Sequence, residues 1–252
     1  MSALYTEFAR NKPSSLGMRA LRFQQSQLMK EVIAETGRID SVLEIGPGWG
    51  AFAECCKNIG VEYEFIDNSP AIAELMIAQG FAGCCGTTSQ LQKIRASTIW
   101  ISHVLEHSPS WVDARNMLAH ISKIAPANTR LVVIGPDVLS WRSEFFNCDS
   151  THGYPTTLRN VVQLMQDVGC SVSYASHHRL TSTNHFIRLI AVALCLVPWS
   201  VLDRFFPRPK DLGRGGFLYN FKVNFLLRQI CVVAYKPLHN GYVSAEMAPT
   251  AI

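Results

Sequence analysis

One short stretch of the chain, SVLEIGPGWGAF at residues 41–52, combines an acid with three closely spaced glycines. Glu44 stands two residues before Gly46, and Gly48 and Gly50 follow at alternate positions. Glycines in the turn after a parallel strand allow a ligand to lie against the backbone, at the N-terminus of the next helix. The stretch therefore predicts a binding site for a nucleotide-like ligand.

The spacing of the glycines and the position of the acids narrow the class of ligand. The order here is G-x-G-x-G, which differs from the G-x-G-x-x-G of dinucleotide-binding proteins. A carboxylate at Glu44 offers nothing to a pyrophosphate but attracts a ligand that carries ammonium and sulfonium groups. Asp67 ends the strand-like run YEFID, seventeen residues beyond Gly50. A carboxylate there can accept hydrogen bonds from both hydroxyls of a ribose.

The elements that must position these residues follow from the apolar pattern. Apolar runs of strand length alternate with segments of helical period, which indicates a sheet with crossover helices. The predicted strands are 41–45, 62–66, 81–85, 98–104, 130–134, 171–175 and 227–235. The predicted helices are 18–36, 51–59, 70–79, 111–124 and 156–168. The fold class is therefore α/β.

Several motifs together resemble one family. VLEIGPGWG followed by EFIDNSP is similar to the first two motifs of the class I S-adenosylmethionine-dependent methyltransferases. TIWISHVLEHSPSW resembles the fourth-strand motif of the small-molecule branch, and RLVVIGPD resembles its fifth strand. THGYPTTLRNVVQLMQDVGC resembles the loop and helix before the sixth strand. The resemblance covers about residues 18–176 and the final strand RQICVVAYKP.

This resemblance implies a fold, a cofactor and a set of contacts. The fold would be Rossmann-like and doubly wound, with a mostly parallel seven-stranded sheet, an antiparallel last strand and a helical insertion before that strand. The cofactor would be S-adenosyl-L-methionine. Glu44 would hold its methionine end above the floor formed by Gly46, Gly48 and Gly50, while Asp67 would bind the ribose. The remaining implied cofactor contacts are Asn68 beside the adenine and the backbone around Ser102 and His103, facing the methyl group.

The sequence departs from the family at the adenine site. GTTSQ stands where the family often places an acid after the third strand, so Thr87 or Thr88 is expected to substitute for it. Arg19 or Arg22 is a candidate for the cofactor carboxylate, and a solvated helix face is the alternative interpretation of both arginines.

Three histidines are candidates for the base that transfer to a hydroxyl requires. The cofactor supplies the electrophile, so the protein must align a nucleophile and accept its proton. Histidine titrates in the useful range, and His103, His107 and His152 follow predicted strands at the ligand-binding edge of the sheet. The alternatives are loop packing for His107, a loop anchor for His152, and Asp137 as a further polar contact. No histidine or cysteine spacing matches a zinc motif, so no metal site is predicted.

An insertion at residues 177–226 is expected to determine the substrate. Its apolar run FIRLIAVALCLVPWSVL has a charge-free part of only fourteen residues containing Pro198, whereas a bilayer span needs about 20. The cation-rich DRFFPRPKDLGRGG follows. Residues 186–214 therefore suit a peripheral membrane contact or a lid over a lipid-linked or phosphate-bearing substrate. A helix pair packed on the sheet or on a second subunit is the alternative.

Composition limits the domain organisation and the partners. With 252 residues, 48% of them hydrophobic, the chain suits one methyltransferase domain at 18–236. An irregular arm (1–17) and a tail (237–252) would flank it. The net charge of +4 is mild and concentrated in residues 185–236, so no nucleic-acid partner is expected. Eight cysteines without a C-x-x-C pair, and no secretory signal, predict a reduced, cytoplasmic protein.

The function expected from these features is methyl transfer to an oxygen of a small molecule. A sugar or lipid-linked glycan intermediate is the first acceptor to consider, and a quinone or lipid acceptor is the second. Two alternatives belong to other classes. A nucleotide-dependent oxidoreductase is disfavoured by the glycine spacing and by Glu44, and a non-catalytic scaffold is disfavoured by the retained cofactor motifs.

Overall fold

The computed structural model of the protein describes residues 3–10, 12–178, 193–194, 222 and 226–238. The strands are β1 (Ser41–Ile45), β2 (Glu62–Asp67), β3 (Ala82–Cys85), β4 (Thr98–Ser102), β5 (Arg130–Pro136), β6 (Ser171–His178) and β7 (Gln229–Tyr235). The helices are α1 (Ala3–Arg10), α2 (Ser15–Thr36), α3 (Ala51–Ile59), α4 (Pro70–Ala78), α5 (Trp111–Ile124), α6 (Val138–Trp141), α7 (Ser143–Asn147) and α8 (Leu158–Asp167).

The strands form one seven-stranded sheet in the order β3-β2-β1-β4-β5-β7-β6. Strands β1 to β5 pair in parallel, and β7 runs antiparallel between β5 and β6. The predicted sheet with its antiparallel last strand is thereby confirmed. The strand order reverses at β1, which lies between β2 and β4, and ligands of open α/β sheets bind at such a point.

Helices cover both faces of the sheet and hold in place the strands that carry the site. In β4, Ile99 and Ile101 pack on one face with Leu118 of α5. Trp100 points to the other face, where its ring stacks on Phe52 of α3 with the ring centroids 4.2 Å apart. Because both faces are buried, β4 and β5 are apolar runs without alternation.

The N-terminal arm differs from its prediction. The segment predicted to be irregular contains α1, and α2 begins at Ser15 instead of residue 18. The hydroxyl of Ser14 caps α2 by accepting a hydrogen bond from the backbone N–H of Gly17 at 3.2 Å, which adds the first turn. The stretch predicted to be irregular after β5 likewise contains the short helices α6 and α7.

Strand β6 is longer than predicted. It continues to His178, because β7 pairs with it on both sides of a bulge at Ser173 and His178 lies opposite Gln229. Most of the segment predicted to be a lid, membrane contact or subunit interface lies outside the described residues. Among the residues that are described, no helix has both the length and the apolar character needed to cross a membrane.

Candidate active site

The glycine-rich loop joins β1 to α3 in a conformation that depends on glycine. Gly46 and Gly50 have φ of 73° and 80°, in the left-handed region that other residues rarely adopt. A Cβ at Gly46 would lie 2.5 Å from Cγ2 of Val104, and a Cβ at Gly50 would lie 2.9 Å from the sulfur of Met76. These two glycines therefore bring the loop close to the β4 loop and to α4.

Helix α1 lies against this loop, through two aromatic residues that the sequence analysis did not single out. The rings of Phe8 and Trp49 are stacked, with centroids 3.8 Å apart and an interplanar angle of 20°. The indole N–H of Trp49 also donates to the carbonyl of Phe8 at 3.1 Å. The N-terminal arm thus packs on the predicted cofactor loop.

Glu44 is buried beneath the loop rather than displayed on its surface. Its side chain belongs to a residue that is only 3% exposed, and Tyr63 of β2 donates a hydrogen bond to it at 2.5 Å. Burial, together with the smaller effect of the nearby Asp67 carboxylate, raises the pKa of Glu44 to about 8. The Tyr63 hydrogen bond opposes this increase. A cation bound above the loop would favour the ionised form.

Asp67 ends β2 beside the glycine loop. The backbone N–H of Gly46 donates to the carbonyl of Ile66 at 3.0 Å, which holds the two segments together. Oδ1 of Asp67 accepts from the N–H of Ser69 at 2.7 Å, and within the described residues no hydrogen bond reaches the second oxygen. Burial raises the pKa of Asp67 to about 6. An acceptor is thus available for a hydroxyl-bearing ligand, with the exposed Asn68 next to it.

His103 and Glu106 form a hydrogen-bonded pair just after β4. His103 has a positive φ of 56°, and its Nδ1 lies 3.1 Å from Oε1 of Glu106. Glu106 is completely buried. Burial alone would raise the pKa of this carboxyl, but the hydrogen bond and charge of His103, and the charge of His107, outweigh that effect and lower it. The carboxylate is therefore ionised and fixes the orientation of the His103 ring.

His107 and His152 meet on two neighbouring loops. Their ring centroids are 4.9 Å apart, and the rings are tilted by 58°. Nδ1 of His107 lies 2.7 Å from the hydroxyl of Thr151, which itself donates to Asp149 at 2.7 Å. Burial lowers the pKa of His107, although the nearby charges of Glu106 and Asp149 oppose this. Nδ1 of His152 lies 2.5 Å from the carbonyl of Phe145.

The two histidine loops are joined through the main chain. The carbonyl of Glu106 accepts hydrogen bonds from the N–H groups of Gly153 and Tyr154, at 2.9 and 3.1 Å. A Cβ at Gly153 would lie 2.5 Å from the carbonyl oxygen of Ser108. Only glycine therefore permits this approach, which brings His152 next to the loop that follows β4.

Residues 5–175 match a family described as a methyltransferase domain. This match covers more than half of the chain. The chain belongs to that methyltransferase family. A comparison with curated proteins found no sequence match.

Solved structures share the fold at low sequence identity. A chain of the Haloferax volcanii complex that contains the Trm112 methyltransferase activator aligns with TM-score 0.64 and 12% identity, over 94% of this chain and 99% of that chain. An S-adenosylmethionine-dependent methyltransferase from Archaeoglobus fulgidus aligns with TM-score 0.57 and 17% identity, over 85% and 94%. Phosphoethanolamine N-methyltransferase 2 of Haemonchus contortus, in complex with S-adenosyl-L-methionine, aligns with TM-score 0.59 and 11% identity, over 94% and 60%.

The protein is thus an S-adenosylmethionine-dependent methyltransferase, and the oxidoreductase alternative is set aside. The residues present fit that cofactor. Ser102, the last residue of β4, has a buried hydroxyl without a hydrogen-bond partner among the described residues. This hydroxyl and the second oxygen of Asp67 are polar groups that a bound nucleoside could satisfy.

Three further candidates of this methyltransferase have partners in the fold. Arg22 forms an ion pair with Glu54 of α3, which favours the helix-face interpretation. Thr87 is exposed near the carboxyl end of β3, where its hydroxyl lies 2.8 Å from that of Ser89. Asp137 is fully buried, pairs with Arg228 and caps α6. Asp137 therefore holds β5 to the start of β7, and its environment gives no support to a role as a substrate contact.

Proposed function

We propose that this methyltransferase transfers a methyl group to a hydroxyl of a small-molecule acceptor, with His103 as the base. The observation that carries the proposal is the hydrogen bond between His103 and the buried Glu106. A hydroxyl nucleophile must lose a proton during transfer, so a residue beside it has to accept that proton. A residue that cannot accept a proton could only orient the methyl acceptor.

The chemistry of the pair follows from its hydrogen bond. An ionised carboxylate only accepts, so Nδ1 of His103 carries the proton that it donates to Glu106, and Nε2 holds the lone pair. When bound, S-adenosyl-L-methionine supplies an electrophilic methyl group. Nε2 of His103 would take the hydroxyl proton of the acceptor as the acceptor oxygen is methylated. The Glu106 carboxylate stabilises the resulting imidazolium.

The position of His103 supports this role. It directly follows β4, whose neighbour β1 leads into the glycine loop, and its N–H donates to the carbonyl of Ile134 at 2.9 Å. Its side chain is 35% exposed, so a substrate can reach it. His103 is a non-glycine residue with positive φ at a strand end, and such strained backbone conformations are often found at functional sites. His107 and His152 are the alternative bases.

The acceptor class follows from the sequence of residues 186–214, where an apolar run precedes four cations. We infer a sugar or lipid-linked glycan intermediate as the acceptor, with a quinone or another lipid as the second class. The cationic residues would attract a phosphate or an anionic membrane surface, and the apolar run would contact a lipid chain.

The test is transfer of an isotope-labelled methyl group from the cofactor into cell extracts, followed by mass spectrometry of the products. A product heavier by one methylene on a hydroxyl supports the proposal. Labelling on nitrogen or carbon, in the absence of any O-methylated product, contradicts it. Soluble and lipid extracts assayed separately distinguish the acceptor classes.

Variants of the His103 pair test the base. Losing a charge-assisted hydrogen bond costs about 1.5–3 kcal/mol, so Glu106→Gln should lower kcat by about 10- to 150-fold with little change in the affinity for the cofactor. His103→Ala should be partly rescued by added imidazole. His120→Gln is the matched control, because the His120 ring lies on α5 and hydrogen-bonds to the carbonyl of Leu91 at 3.0 Å. Full activity of His103→Ala without imidazole would rule out this base.

A further inference from the structure

A second cluster lies beside the His103 pair. One ligand atom from each of Glu106, His107 and His152 lies within 4.8 Å of the others. We propose that these three side chains bind a divalent transition-metal ion. Neither the G-x-G-x-G motif nor any zinc-type spacing points to this site, since His152 is 45 residues from His107.

The first argument is the chemistry of the three side chains. Two imidazoles and one carboxylate form the set that catalytic zinc and non-haem iron sites use, and imidazole favours zinc, copper, iron and nickel over magnesium. Three protein ligands also leave coordination positions open for a substrate oxygen.

The second argument is the state of the carboxylate. Glu106 is completely buried, and its Oε1 is the oxygen that faces His103. Its Oε2 is buried without any hydrogen-bond partner among the described residues. A buried carboxyl oxygen without a hydrogen-bond partner is costly, and a bound ion is one explanation for such a group.

The third argument is the hydrogen bonds that the Nδ1 atoms of the two histidines make. The Thr151 hydroxyl donates to Asp149 and therefore accepts from Nδ1 of His107. The Phe145 carbonyl can only accept, so Nδ1 of His152 donates to it. On both rings the lone pair is thus on Nε2. Metal-binding histidines show this arrangement, in which the other ring nitrogen donates to a carbonyl, hydroxyl or carboxylate.

The geometry requires only small side-chain movements. Zinc bonds of about 2.0–2.1 Å in a tetrahedral site place the ligand atoms about 3.3 Å apart. Because the ligand atoms lie within 4.8 Å of one another, their separations would shorten by at most about 1.5 Å around an ion. The loops themselves need no rearrangement, because the Gly153 and Tyr154 hydrogen bonds to the Glu106 carbonyl already hold them together.

The ion would act on the acceptor, a role that rests on the proposed function. An acceptor hydroxyl bound at an open position of the ion would become more acidic, and His103 would then take its proton. The binding of the ion itself does not depend on the identity of the acceptor.

Metal binding is tested directly on the full chain. The protein is treated with a chelator and then titrated with Zn²⁺ by calorimetry and with Co²⁺ by visible absorption. The background carries Cys84→Ser and Cys85→Ser, because those two cysteines are exposed and could bind metal unspecifically. One equivalent of metal is expected, with Co²⁺ bands that indicate nitrogen and oxygen ligands.

Substitutions then locate the ion. His107→Gln and His152→Gln should each weaken metal binding by at least about 100-fold, and Thr151→Val by about 10- to 100-fold. His120→Gln should leave it unchanged. Circular dichroism and cofactor affinity of every variant confirm folding. Absence of stoichiometric binding, or binding that survives both histidine substitutions, would overturn the site.

The metal assay and the methyl-transfer assay separate the two proposals. Metal binding without any O-methylated product would leave the site in place and overturn the proposed acceptor chemistry. Methyl transfer that is fully retained after chelation, in a protein shown to bind the ion, would overturn the role of the ion in acceptor activation.

Discussion

The affinity for S-adenosyl-L-methionine should depend on pH through Asp67, and Asp67→Asn should remove that dependence. Asp67 ends β2 with one oxygen on the Ser69 N–H at 2.7 Å, and burial raises its pKa to about 6. Asparagine has the same shape and keeps an oxygen for Ser69. It replaces the second acceptor, which the ribose hydroxyls need, with an N–H donor.

The magnitude has two parts. The loss of a hydrogen bond to a charged group costs about 1.5–3 kcal/mol, which raises the Kd by about 10- to 150-fold at pH 7. The pH term follows from the raised pKa. The ionised fraction of Asp67 falls from about nine-tenths at pH 7 to about one-tenth at pH 5. Wild-type affinity should therefore decrease about ten-fold over this range, or about 1.3 kcal/mol.

Both the direction of this change in affinity and its origin in Asp67 rather than Glu44 can be checked. Only ionised Asp67 accepts from both hydroxyls, so affinity falls as the pH falls through about 6. Glu44, whose pKa is about 8, stays protonated in the free enzyme throughout this range. Because the Asp67 carboxylate also raises the pKa of Glu44, both proteins are compared in a Glu44→Gln background, where the difference between the two profiles reports Asp67.

The assay is isothermal titration calorimetry at pH 5, 6 and 7 and constant ionic strength. S-adenosylhomocysteine serves as a second ligand, because it shares the ribose and lacks the sulfonium charge. Glu64→Gln is the matched control, since Glu64 is an exposed acid on the same strand. Asp67→Asn that binds both ligands as tightly as wild type, with a superimposable pH profile, would refute the assignment of the ribose to Asp67.

Two further predictions concern stability. Burial raises the pKa of Glu44 from 4.5 to about 8, so wild type loses stability as the pH rises between these values. Glu44→Gln keeps an acceptor for Tyr63, and its Tm advantage in scanning fluorimetry should grow from pH 5 to pH 8; a constant difference would contradict this. Gly46→Ala should cost about 2–5 kcal/mol in urea unfolding, since a left-handed alanine costs about 1–2 and overpacking against Val104 adds about 1–3. Gly60→Ala, at a left-handed residue with φ of 73° and open space, should cost only the first part, and equal losses would exclude the Val104 clash.

The sequence by itself determined the fold class and the glycine-rich turn after the first strand. The alternation of apolar runs and helical segments located all seven strands, and the sheet order then followed the crossover pattern. Gly46 and Asp67 were recognisable as candidates because their positions depend on local backbone: a bare turn after a strand, and an acid at the end of the next strand. Residues that act through their immediate chain neighbours leave a pattern that periodicity and spacing can detect.

The N-terminal arm and the role of Asp137 needed the tertiary structure. Helix α1 has little signal of its own, and its place is set by the stacking of Phe8 on Trp49 across 41 residues. Asp137 follows a strand at the ligand-binding edge, as a substrate contact would. Its partner Arg228 lies 91 residues away and binds it into the fold instead.

The three histidines show the same contrast between what the sequence predicts and what the tertiary structure decides. The sequence identified His103, His107 and His152 as candidate bases of equal kind, but not the buried Glu106 that distinguishes them. Only the docked loops orient His103 on that carboxylate and place His152 beside His107. Burial and hydrogen-bond partners decide the chemistry of a titratable group. The partner of His103 is local in the chain, whereas the loop of Gly153 and Tyr154 that packs on Glu106 is distant in the chain.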